Sequence, residues 1–174
     1  MFLELIGVIF AGIATAGVVM VVNRATRGRL PRWLAPVAAG LAMIAVTISS
    51  EYSWYSRTAE PLPDGLVIAE AVPETSLYRP WTYAVPYVSR FAAVDVTSRQ
   101  SHPGQPEQVL ADVYFFGRWA PVNMIPVMFD CAGGRRAAVP PGTVFNSDGS
   151  AEGLQWALPD AADGLLKTVC GETG

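Results

Sequence analysis

Charge is missing from two long stretches of this 174-residue chain, residues 5–22 and residues 33–50. Neither run can be the half-buried helix of a soluble domain, because such a helix carries polar residues on one face. Histidine is nearly absent as well, with His102 alone, and there is no CxxC pair, so the usual zinc ligand sets cannot be assembled. No glycine-rich phosphate loop precedes a helix: Gly133-Gly134 opens onto a strand-like run, RRAAV, instead. Net positive charge is lacking too. At −3 overall, the chain offers no electrostatic footprint for nucleic acid.

Each charge-free run has 18 residues. At about 1.5 Å of rise per residue, that is roughly 27 Å of helix, close to the thickness of a bilayer's hydrocarbon core. The two runs are expected to form a transmembrane helical hairpin over residues 1–50. The leader MFLEL carries Glu4 and no basic residue, and the first run exceeds an ordinary signal-peptide core. An uncleaved helix is therefore expected, although Ala14-Thr15-Ala16 offers a small-x-small site. The cysteines lie too far downstream for an N-terminal lipid anchor.

Between the runs stands NRATRGRLPR (residues 23–32), with Arg24, Arg27, Arg29 and Arg32. Short cationic loops stay on the cytoplasmic side, which puts the N-terminus and everything beyond Glu51 outside. Four cations are the lower edge of a headgroup-binding cluster. Trp33 at one end of the second run, and Tyr52, Trp54 and Tyr55 beyond the other, suit the two water interfaces.

Small residues recur four apart in the hairpin: Gly7 with Ala11, Gly12 with Ala16, Ala35 with Ala39, and Ala38 with Ala42. Such faces let helix backbones approach closely in lipid. They serve the contact between the two helices or a contact with another integral membrane protein. Neither run holds an ionisable residue between its ends, so no ion or proton pathway is expected through this chain alone.

From Glu51 onward the chain has 14 acidic and 8 basic residues, the balance of an acidic soluble domain. Residues 51–90 form a proline- and aromatic-rich juxtamembrane segment, with prolines at 61, 63, 73, 80 and 86. It is too proline-broken for helix. Within it, SLYRPWTYAVPYV carries Tyr78, Arg79, Trp81, Tyr83 and Tyr87. These residues pack over their own domain and the lipid surface, or they are rigid anchors for a partner.

Residues 91–174 read as a small α+β, mainly antiparallel β domain. In VLADVYFF, Val109, Ala111, Val113 and Phe115 alternate with their neighbours in the period of a strand. FAAVDVT puts Ala92, Val94 and Val96 on one face, and MIPVMFD does the same with Ile125, Val127 and Phe129. Pro126 predicts an edge strand or a bulge, and Gly133-Gly134 predicts a two-residue hairpin turn into RRAAV. A C-terminal helix is expected after Pro159, with Asp160 as N-cap and Ala162, Leu165, Leu166 and Val169 as its apolar stripe.

Cys131 and Cys170 allow a single pairing, and both fall on the outer, oxidising side. A disulfide there would staple the terminal helix to the hairpin. The stretch FDCAGGRRAAVPPGTVF, with DGLLKTVC some 30 residues later, resembles small bacterial envelope domains of the surface-adhesin protein E type. The resemblance covers about the last 50 residues and implies the same hairpin-plus-helix unit closed by Cys131 and Cys170.

Catalysis has little to work with. His102 lies in a polar turn, and Asp112, Asp130 and Arg118 sit on or beside separate strands with nothing to force them together. No catalytic residue, cofactor or metal is expected. Two function classes remain. One is a non-enzymatic accessory or assembly subunit of a larger bacterial inner-membrane complex, with respiratory or photosynthetic electron transport as the leading example. The other is a stand-alone anchored periplasmic binding or sensing module.

Overall fold

The computed structural model describes residues 2–160 and 163–171. They form two compact units, residues 1–57 and 58–174.

The first unit is a helical hairpin of α1 (Phe2–Ala25) and α2 (Leu34–Ala59). Both helices are long and apolar enough to cross a membrane, with mean hydropathies of 2.6 and 1.6. Helix α2 does not stop where the apolar run does but carries the helix through Tyr52, Trp54 and Tyr55 to Ala59. Nothing between Ser50 and Ala59 interrupts it, since the next proline is Pro61. The composition step after Ser50 therefore falls within a helix.

Helix α1 ends in a left-handed turn. The Gly28 N–H donates to the Asn23 carbonyl at 2.7 Å, and Arg27 takes φ +57°. These are the bond and backbone of a Schellman-type stop, with arginine where glycine is usual. Asn23 Oδ1 then accepts the Leu30 N–H at 3.0 Å and closes the loop on itself.

The second unit is a curled antiparallel sheet in the order β1-β2-β3-β4-β5, made of β1 (Leu66–Glu74), β2 (Tyr87–His102), β3 (Gln105–Gly117), β4 (Asn123–Asp130) and β5 (Arg135–Ala138). A seven-residue helix, α3 (Gly164–Cys170), packs on one face. The alternation read from the sequence is the one used: Ala92, Val94, Val109, Ala111, Val113, Val127 and Phe129 meet Leu165 and Val169 in the core. A bulge in β2 between Asp95 and Gln100 breaks the register with β3. Ser98 sits in it, its Oγ donating to the Asp95 carbonyl and accepting the Asp112 N–H.

Several expectations change. The juxtamembrane segment 51–90 is not one piece, because it contributes the end of α2, all of β1, a loop and the start of β2. The predicted two-residue turn at Gly133-Gly134 is a four-residue loop, Cys131 to Gly134, since Asp130 still pairs with Arg135. Of its glycines only Gly134 has positive φ, at 60°. Pro126 is not on an edge strand, as β4 lies between β3 and β5. Its carbonyl accepts the Val139 N–H at 2.9 Å, just past the end of β5. A residue's N–H and C=O share a side in this ladder, so the missing donor falls where the outer strand runs out. The N-cap of α3 is Asp163 rather than Asp160, and the predicted stripe residue Ala162 lies outside the described residues.

Candidate functional site

The end of the sheet where β1 passes to β2 carries the aromatic segment. Residues 75–86 are built around Thr82, whose relative exposure is 0%. Its Oγ1 accepts the Ser76 N–H at 2.9 Å and donates to the Arg79 carbonyl at 2.7 Å. Proline at the first position of a 3-10 turn, Pro80–Tyr83, sets the backbone angle for that turn. A hydroxyl that satisfies two backbone groups at the loop's centre leaves the apolar side chains nowhere to go but outward. Leu77 (87% exposed), Tyr78 (74%), Tyr83 (59%), Val85 and Trp81 face solvent.

Tyr87 departs from the docking set. It is buried at the head of β2, opposite Glu74, and so is not available to a partner. The Arg79 guanidinium lies 5.1 Å from the Tyr78 ring and 5.8 Å from the Tyr87 ring, linking the exposed aromatic to the buried one.

A second loop joins this end. The Arg118 N–H donates to the Ser89 carbonyl at 3.1 Å, which brings residues 118–122 beside the start of β2. Trp119 and Val122 are exposed there, and Arg118 stacks 4.8 Å over the Trp119 ring. Sequence reasoning missed Trp119 because it lies some 40 residues from Tyr78, and only the β2–β3 pairing puts their two loops at the same end of the sheet.

The other half of the α3 face forms a cleft. Helix α3 is too short to cover the whole apolar face, so Phe115 and Ile125, which share the strand period of the core residues, stay 39% and 38% exposed. Opposite Arg90 on β3 stands Gly117, and opposite Phe115 stands Ala92. These small residues give a hollow of about 380 Å³ walled by Val72, Phe115, Pro121 and Leu165. Arg90, Arg136, Asn123 and Glu70 supply its polar atoms.

The motif that carried the envelope-domain resemblance is an interlocked unit. Cys131 and Cys170 form a disulfide with Cα atoms 5.6 Å apart. Asp130 Oδ1 accepts the Gly133 N–H at 2.9 Å and Oδ2 accepts Arg135 Nε at 2.7 Å. The Gly133 amide first, and then Arg135, hold the Asp130 carboxyl below the usual carboxylate range against an opposing effect of burial. Arg99, swung out by the bulge in β2, donates to the Thr168 carbonyl in the last turn of α3.

In the hairpin, Gly12 is the tight contact: a Cβ there would stand 2.9 Å from Met43 Cγ and Sδ and 3.8 Å from the Ala39 carbonyl oxygen. Ala11, Ala16, Ala35, Ala38, Ala39 and Ala42 are half-buried, whereas Gly7 is exposed with open space around it. Arg24, Arg27, Arg29 and Arg32 are all exposed.

Asp112, Asp130 and Arg118 are not brought together. Asp130 pairs with Gln108 on β3, and Arg118 follows that strand's last residue, so the group is strung over roughly 33 Å of strand. His102 Nδ1 accepts the Gly104 N–H at the β2–β3 turn. Among the described residues no three His, Cys, Asp or Glu cluster as metal ligands. No protein-family model, curated protein or solved structure matches the chain.

Proposed function

We propose that the protein is a non-enzymatic accessory or assembly subunit of a larger bacterial inner-membrane complex, with respiratory or photosynthetic electron transport as the leading example. In this reading α1 and α2 span the membrane, the arginine loop is cytoplasmic, and the disulfide-bonded domain caps the periplasmic face. The observation that carries it is the Thr82-locked loop, which holds Leu77, Tyr78, Trp81 and Tyr83 outward at the same end of the sheet as the loop bearing the exposed Trp119. Rigid aromatics beside arginine are the composition of interface hot spots, and an apolar group of this kind is costly to leave in water without a partner. The exposed side of Gly7 offers a second contact, in lipid. The resemblance to surface-adhesin protein E domains enters only through the Cys131–Cys170 unit, as support for an envelope location.

The test is affinity purification of the full chain in mild detergent with mass spectrometry. Stoichiometric integral membrane partners are expected, and their loss in a Tyr78→Ser, Tyr83→Ser double variant. A monodisperse protein without partners would sink the proposal. A second reading, an anchored periplasmic binding module acting alone, is favoured by the cleft beside α3.

A further inference from the structure

We propose that the cleft between α3 and the 118–122 loop is a binding site for a small organic monocarboxylate with an apolar body. The inference deepens the binding-module reading and does not depend on a membrane partner.

Its volume of about 380 Å³ lies at the lower end of the roughly 300–1,000 Å³ typical of small-molecule sites. The hollow arises where three features of the chain coincide. Helix α3 ends its cover at Leu165, Gly117 contributes no side chain opposite Arg90, and Ala92 contributes only a methyl opposite Phe115. The walls are hydrocarbon: Val72, Phe115, Pro121 and Leu165. A ligand's apolar body would take the place of water against them.

The polar groups set the sign of the ligand. Arg90, Arg136 and Asn123 bring N–H donors, and Glu70 is the one carboxylate on the cleft's lining. Asp163, which balances Arg136 at 2.9 Å, is itself only 6% exposed and points its charge into the protein. Arg90 has no such balance. It is exposed on the rim and forms no ion pair among the described residues. A planar guanidinium above an apolar hollow matches a carboxylate in bidentate fashion.

The probe is 4-phenylbutyrate, titrated against the full chain in phosphatidylcholine nanodiscs by calorimetry, with empty nanodiscs as the blank. Neutral 4-phenylbutanamide and cationic 4-phenylbutylamine are the comparisons. Saturable binding of the acid is expected, about tenfold tighter than the amide and tighter still than the amine. Arg90→Gln should bring the acid to the level of the amide. Ala120→Phe, on the exposed loop, should fill the cleft and weaken all three probes.

Equal binding of acid and amide, or preference for the amine, overturns the ligand class, even where Ala120→Phe still blocks and the cleft itself stands as a site. Absence of saturable binding, or binding untouched by both substitutions, overturns the site.

Discussion

Arg136 Nη2 lies 2.9 Å from Asp163 Oδ2, while Asp163 Oδ1 accepts the Leu166 N–H at 2.9 Å. One carboxylate thus caps α3 and ties it to β5, at the opposite end of the helix from the disulfide. The helix is only seven residues long, too short to persist alone, so these two anchors hold it on the sheet.

Replacing Asp163 by Ala removes the cap and leaves Arg136 without its partner. The cap alone accounts for about 1 kcal/mol, and the partly exposed pair adds a comparable amount. A loss of about 2 kcal/mol is expected in denaturant unfolding of the domain, and Asp163→Asn should recover part of it through capping. A loss below about 0.5 kcal/mol, the size of an ordinary surface change, would contradict the dual role.

Reduction of Cys131–Cys170 frees a loop of 39 residues' separation. The chain-entropy model puts the cost at about 4 kcal/mol. Paired Cys→Ser substitution should lower the melting temperature of the domain sharply, and non-reducing electrophoresis of native membranes should show the oxidised form. Free thiols in the native protein would remove the support for an oxidising compartment.

At Gly164 a Cβ would approach the Ala69 carbonyl oxygen to 1.9 Å. Alanine gains about 1 kcal/mol in helix propensity, but the backbone of β1 must move or α3 must lift. Net destabilisation of about 1–3 kcal/mol is expected. A more stable Gly164→Ala variant would show that α3 does not seat against β1.

The pH dependence follows from Asp130, whose carboxyl is held below its ordinary value of 3.8, first by the Gly133 amide. A depressed folded value means its contribution is present above about pH 4 and fades as pH falls through the lower folded value. Asp130→Asn should therefore be less stable than the native chain at pH 6. The difference should shrink toward pH 2. A constant difference across that range would rule out the carboxylate as its source.

Thr82→Val keeps the shape of the buried side chain but strips the Ser76 N–H of its acceptor and leaves the Arg79 carbonyl with the Thr82 N–H alone. Amide exchange in residues 75–86 should accelerate with little change in global melting. Partner recovery should fall with it if the loop is the docking element.

What could be read from the residues alone was local. Charge-free length set the two helices, the period of two set the inward faces of β2, β3 and β4, and the lone cysteine pair left one bridge to make. Strand β1 escaped because Pro73 and the bulges beside it blur the alternation, and pairing with β2 supplies what local pattern does not. The short span of α3, which decides that Phe115 lines a cleft and Ile125 stays partly exposed instead of joining the core, depends on where Asp163 meets Arg136.

The sequence by itself determined periodicity, charge placement and the supply of thiols, because each acts over a few neighbouring residues or by simple count. Tertiary structure alone decided that Tyr87 is buried while Tyr78 is not, that Trp119 joins Tyr78 at one sheet end, and that Arg90 overlooks a hollow left by Gly117 and Ala92. These relationships link residues far apart in the chain. They come into being only when strand register and helix seating are fixed together.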